Sequence, residues 1–91
     1  MAKVIVKFYA TIREKIKTDY IELEADTFKK AIEILIKMHP LLKKELVDDD
    51  FSMKDDYIYL VNGRNIVFLQ GENTPLKEGD RLAIFPPVGG G

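Results

Sequence analysis

The chain of 91 residues has the length of one domain, and its 46% hydrophobic and 32% charged residues exclude a disordered chain. It contains no cysteine, which excludes a disulfide, a thiolate nucleophile and a thiolate metal site, so any sulfur it handles comes from elsewhere. The net charge of −1 divides into ten Lys/Arg against seven Asp/Glu in residues 1–46 and four against eight in residues 47–91, without the concentrated basic face of a nucleic-acid binder.

No apolar run approaches the roughly 20 residues of a membrane span, and the run Val4-Ile5-Val6 between Lys3 and Lys7 is too short for a signal-peptide core. No nucleic-acid partner, no membrane and a cytoplasmic location are therefore expected. The acidic second half is expected either to steer the chain toward basic partners or to be ordinary solvated charge.

Lys3 to Tyr9 alternates, with Val4, Val6 and Phe8 on one side, and reads as a strand. Tyr20 to Glu24 alternates again, with Ile21 and Leu23 inward. The polar stretch Thr11 to Asp19 is expected to join the two as the long loop of an antiparallel hairpin. Thr27 is the expected N-cap of a helix. Phe28, Ala31, Ile32, Leu35 and Ile36 give that helix an apolar stripe suited to packing on a sheet, and Pro40 ends it. Leu41 to Leu46 has room for one short second helix.

The acidic loop from Asp48 to Asp56 comes next. Tyr57 to Val61 reads as a strand with Ile58 and Leu60 inward, and Asn62-Gly63 as a turn. Ile66 to Leu69 is a further short apolar segment, expected as a strand. Glu78-Gly79-Asp80 is a turn before a last strand, Arg81 to Phe85, with Leu82 and Ile84 inward. Strands flanking one main helix predict an α+β domain. The first and last strands are both strongly apolar, which places them side by side and parallel at the centre, with the helix in their crossover. That is a ubiquitin-like β-grasp, a mixed sheet with one main helix across one face. Residues 1–85 are expected to form the domain and residues 86–91 a C-terminal tail.

The tail reads Pro86-Pro87-Val88-Gly89-Gly90-Gly91. The prolines lack an amide hydrogen, so the last strand must stop before them. Six residues at about 3.3 Å each reach roughly 20 Å beyond the sheet. A carboxylate is a poor electrophile until it is activated, usually as a mixed anhydride with a nucleotide. Glycines without side chains let it enter a narrow enzyme cleft and adopt angles that other residues avoid. Gly91 is thus the candidate acyl carrier, and Gly89 and Gly90 supply the channel-fitting backbone.

The segment Leu76 to Gly91, with its Gly-Asp, apolar strand, Phe-Pro-Pro-Val and terminal Gly-Gly, resembles the C-terminus of the small subunit of molybdopterin synthase. Phe8 to Glu14 is similar to that family's Phe-Ala-x-x-Arg-Glu pattern with Tyr9 inserted, and Val61-Asn62-Gly63 to its Val-Asn turn. The resemblance implies a carrier subunit without a catalytic base or bound cofactor of its own. An E1-like enzyme would adenylate Gly91 with ATP, and sulfur from a sulfurtransferase would convert the carboxylate to a thiocarboxylate. The large synthase subunit would then pass the sulfur to a pterin precursor.

Phe85, on the opposite side of its strand from Leu82 and Ile84, is expected to join Tyr59 and Val61 in an apolar patch, exposed for docking or shielded as a second core. Pro86 and Pro87 belong with it. Phe68 and Leu69 are open to docking a partner or to packing in the core. His39 before Pro40 reads as a helix-end residue, and Arg13-Glu14 as a local pair. No metal is expected, since Asp48, Asp49, Asp50, Asp55 and Asp56 lack the glycine and final glutamate of an EF-hand loop. Other readings stay open: a modifier joined through Gly91 to target lysines, a carrier for tRNA thiolation or for thiamine thiazole, or a plain binding module. Thiazole carriers rank lower, because they tend to be shorter and to lack Phe-Pro-Pro.

Overall fold

The computed structural model describes residues 1–50, 52–54 and 57–86. Strand β1 (Ala2–Phe8) is followed by helix α1 (Ala10–Ile16), strand β2 (Tyr20–Ala25) and helix α2 (Phe28–Met38). A 3₁₀ turn (Pro40–Leu42) leads into helix α3 (Lys43–Leu46). Strands β3 (Ile58–Val61) and β4 (Arg64–Asn65), two further 3₁₀ turns and strand β5 (Arg81–Phe85) complete the order.

The sheet runs β2-β1-β5-β3-β4. β1 and β5 are parallel neighbours, Val6 beside Leu82 and Phe8 beside Ile84, and the other pairings are antiparallel. Parallel neighbours require a long crossover, and α2 lies within it. Its stripe of Phe28, Ala31, Ile32, Leu35 and Ile36 is buried in one core with Val4, Val6, Phe8, Leu82 and Ile84. This is the ubiquitin-like β-grasp fold expected from the strand and helix order. The Thr27 hydroxyl accepts the Lys30 N–H at 3.2 Å, so the cap forms as the sequence indicates.

Three local expectations are corrected. The stretch between β1 and β2 is not simply a polar loop, because α1 fills much of it. Ile12 is 1% exposed and Ile16, one turn on, packs against the core. Seven residues are too few to show a helical stripe against a polar background. Arg13 reaches the exposed carboxylate of Asp19 at 3.9 Å, the local pairing its position suggested.

The second correction concerns β3. Tyr59 and Val61 face inward, while Ile58 is exposed and Leu60 half-buried. Antiparallel register decides this, since Tyr59 lies opposite Ile84 and Val61 opposite Leu82, both core residues. Side chains alternate along a strand, so all pairs on one face share its fate. Tyr59 can be buried because its hydroxyl donates to the Leu46 carbonyl at 3.3 Å and its ring meets Phe28 edge-on at 5.5 Å.

Third, Ile66 to Leu69 is not a strand. Pairing ends after Arg64–Asn65, because the Asn65 side chain accepts the Val67 N–H at 2.9 Å and turns the chain into a 3₁₀ helix (Ile66–Phe68). Ile66 alone of that turn is buried.

Glu45 on α3 ties distant segments together. It pairs with Lys15 of α1 and accepts the Tyr57 hydroxyl at 2.7 Å. The Lys15 ammonium, then the Tyr57 hydroxyl, hold its carboxyl below the usual carboxylate range. A lowered folded-state value means that the clasp stabilises fully above the ordinary carboxylate range and fades as pH falls through the lowered value. Glu45→Gln is therefore expected to be less stable than wild type near neutral pH, by about 1 kcal/mol or less for so accessible a pair. Thermal melts of the two proteins should converge as pH falls below the ordinary carboxylate range, and a gap that stays constant through that fall would count against the clasp.

Candidate functional site

The expected working part hangs from the end of β5, so the site is built from what holds that strand. At its start, two turns are tied together. Asn62 and Gly63 both have positive φ, 51° and 82°, the backbone of a two-residue hairpin turn between β3 and β4. The Asn62 amide donates to Asp80 Oδ1 at 2.9 Å, and the Arg81 N–H donates to Asn62 Oδ1 at 3.0 Å. Asp80 Oδ2 accepts the Lys77 N–H at 2.8 Å, and the Asp80 carbonyl accepts the Ile5 N–H at 3.1 Å. Asn62 and Asp80 thus set the register in which β5 enters the sheet.

At its other end, β5 is paired on both sides up to Ile84 and Phe85, opposite Phe8 on β1 and Ile58 on β3. Pro86 follows at once, half-buried, and has no N–H with which to continue the ladder. Leu82 and Ile84 are sealed in the core, whereas Phe85 points to the outer face of the sheet.

On that face Phe85 does not meet Tyr59 or Val61, which are 5% and 6% exposed and belong to the core. It stacks instead on Tyr9, ring centroids 4.3 Å apart and planes 13° off parallel. Ile58 lies directly opposite Phe85 across the β3–β5 pair, and Leu60 opposite Ala83. The outer face therefore carries an apolar strip of Tyr9, Phe85, Ile58, Leu60 and Ala83, none of them fully buried.

Tyr9 and Ile58 were not singled out as docking residues from the sequence. The available signal was parity: Tyr9 follows the inward Phe8, so it had to face the side where Phe85 lies. Ala10, next to Tyr9, has φ of 53°, a left-handed conformation that an L side chain adopts only at a cost. It breaks β1 and starts α1, leaving Tyr9 over Phe85.

Phe68 is elsewhere, 81% exposed beside Val67, and is not packed in the core. His39 caps the end of α2, its N–H donating to the Leu35 carbonyl at 2.9 Å. Asp50 accepts the Ser52 N–H at 3.0 Å, which holds its carboxyl below the usual range. Among the described residues no three His, Asp or Glu side chains converge as a metal site would require, and no helix is long and apolar enough to cross a membrane. Pro87, Gly89, Gly90 and Gly91 lie outside the described residues.

The profile of the ThiS family matches residues 6–91, which include β5, β3 and the last three residues of β1. The chain belongs to the ThiS family. Small archaeal modifier protein 3 of Haloferax volcanii is 35% identical over 89 residues, covering 94% of this chain and 96% of that protein. The solution structure of small archaeal modifier protein 1 from Methanosarcina acetivorans superposes with a TM-score of 0.91 at 34% identity, covering 100% of this chain and 98% of that one. A Pyrococcus furiosus structure, provisionally named molybdopterin converting factor, subunit 1, gives a TM-score of 0.77 at 32% identity, over 97% of this chain and all of that one. This ThiS-family chain is thus a ubiquitin-like protein of the small-modifier and sulfur-carrier kind.

The strain at Ala10 yields a direct test. Ala10→Gly removes the Cβ that the left-handed backbone disfavours, and is expected to raise stability by about 0.5–1 kcal/mol. A higher Tm in thermal denaturation checks it, and an unchanged or lower Tm would show that the bend is not strained.

Proposed function

We propose that this protein is a sulfur carrier whose Gly91 carboxylate is the site of chemistry. An E1-like enzyme brings that carboxylate to ATP, an oxygen attacks the α-phosphate, and pyrophosphate leaves. The terminal sulfur of a sulfurtransferase persulfide then attacks the acyl adenylate and displaces AMP, and a thiolate cleaves the resulting acyl disulfide, leaving a thiocarboxylate on Gly91 and a disulfide on the donor side. The large subunit of molybdopterin synthase receives the tail and transfers the sulfur to a pterin precursor. The supporting observation is β5, clamped on both sides up to the Phe85-Pro86 junction and continuing in sequence as Pro-Val-Gly-Gly-Gly. The lack of cysteine fits, because sulfur held at the terminal carboxyl needs no thiol side chain.

A second reading shares the first steps. The relatives named small archaeal modifier proteins support an acyl adenylate that ends as an amide on a target lysine. The two readings differ in the acceptor, a pterin precursor or a lysine, and not in the role of Gly91. Both use the strip around Phe85 and Pro86 as the docking surface that presents the tail.

Incubation with the E1-like enzyme, ATP and a sulfide source is expected to exchange one oxygen for sulfur at Gly91 in the intact mass spectrum. Deletion of Gly90 and Gly91 should abolish the exchange, and persistence of function in that deletion would sink both readings. Phe85→Ser or Tyr9→Ala should weaken binding to the activating enzyme by roughly tenfold or more while leaving the fold intact. Lysine-linked Gly-Gly remnants in digested cell protein would favour the modifier reading over the pterin one.

A further inference from the structure

Asn62 is the one asparagine of the chain followed by glycine, since Asn65 precedes Ile66 and Asn73 precedes Thr74. That pairing is chemically labile. A backbone nitrogen can attack the side-chain amide of the residue before it, and a glycine, without a Cβ, lets it approach. The fold leaves this pair in water. Asn62 and Gly63 are both exposed, and nothing lies within 4 Å of the place a Gly63 Cβ would take.

The reaction consumes only water. The Gly63 nitrogen bonds to Asn62 Cγ and gives up its proton, the Cγ–Nδ2 bond breaks, and ammonia leaves. A cyclic imide remains. Water opens it at one carbonyl or the other, giving aspartate or isoaspartate, and nothing is oxidised or reduced.

The tie to Asp80 restrains this step. The Asn62 amide nitrogen donates to Asp80 Oδ1 at 2.9 Å, and its oxygen accepts the Arg81 N–H at 3.0 Å. The Lys77 N–H donates to Asp80 Oδ2 at 2.8 Å and so fixes the carboxylate in turn. With both of its polar atoms engaged, one of them by a charged acceptor, the amide is free to meet the Gly63 nitrogen only when the tie opens.

The product cannot remake the tie. In aspartate a carboxylate oxygen replaces the donor and faces Asp80 Oδ1 across the same gap, and like charges so close repel. Arg64 and Lys77 line the groove beside them, but among the described residues neither forms an ion pair with Asp80 that would offset the repulsion. Isoaspartate adds a carbon to the backbone of a turn that closes in two residues of positive φ.

We propose that Asn62 is a site of spontaneous deamidation, that Asp80 holds it in check, and that its conversion irreversibly releases the start of β5. The chain thus carries a slow, one-way change at the strand from which its C-terminal tail continues in sequence.

The full chain, held for weeks in mildly alkaline buffer and mapped by peptide mass spectrometry, tests it. Replacement of NH2 by OH is expected at Asn62 and not at Asn65 or Asn73. Asp80→Ala should speed it roughly tenfold or more, the worth of a hydrogen bond to a charged group. A core change on α1, Ile12→Val or Ile12→Ala, whichever lowers the Tm as far as Asp80→Ala does, should leave the rate near that of wild type. Asn62→Asp should lower the Tm, and adding Asp80→Asn should restore most of the loss, because donor and acceptor have then exchanged ends. Equal rates in wild type and Asp80→Ala overturn the proposal. So does equal acceleration in the core variant, which would mean that attack needs global unfolding. An Asn62→Asp chain as stable as wild type, or a double variant no better than Asn62→Asp, overturns the release. Where Asp80→Ala does not fold, the exchanged pair still decides.

Discussion

The parallel pairing of the first and last strands carries the rest of the molecule. It puts β5 at the centre of the sheet, hydrogen-bonded to β1 on one edge and β3 on the other, with α2 covering its inner face. A central strand has no free edge and little freedom to slip, because a shift of one residue would turn Leu82 and Ile84 out to water. Position and direction at Phe85 are consequently set by the whole core rather than by the residues near the chain's end.

Both ends of β5 show how short polar motifs serve that constraint. The Asn62 and Asp80 side chains tie the β3–β4 turn to the turn that precedes β5, so the Val-Asn-Gly and Gly-Asp motifs act on one another although 18 residues separate their key side chains. At the other end Pro86 cannot donate to the ladder, and the sheet ends by chemistry rather than by lack of a neighbour. Between them the strand divides its side chains, Leu82 and Ile84 into the core and Phe85 onto the outer face under Tyr9. An apolar strip thus lies beside the point where the last strand ends, and the proposed docking of an activating enzyme rests on it.

Much of this was legible in the chain. The alternation in β1, β2 and β5, the apolar stripe and threonine cap of α2, and the proline after it led to the β-grasp, including the parallel central pair. The tail motif, read as that of a molybdopterin synthase small subunit, pointed to the broader ubiquitin-like sulfur-carrier kind that the ThiS-family match supports. What misled was local hydrophobicity used as a guide to direction. In β3 the more apolar residues, Ile58 and Leu60, face outward, and a tyrosine is buried because a carbonyl and the Phe28 ring await it. In Ile66 to Leu69 an apolar run signalled a strand, yet one asparagine side chain redirects the backbone and leaves Phe68 in water.

The division has a physical origin. Periodicity, capping residues and proline act over a few neighbours, so the sequence by itself determined the main elements, the long α2 and the exclusion of any cysteine chemistry. Which face a half-apolar strand turns inward depends on its register with a partner far along the chain, and whether an aromatic ring is buried depends on what lies across the core. Only the tertiary structure decided that Tyr59 belongs inside, that Tyr9 covers Phe85, and that Phe68 stands exposed rather than in the core.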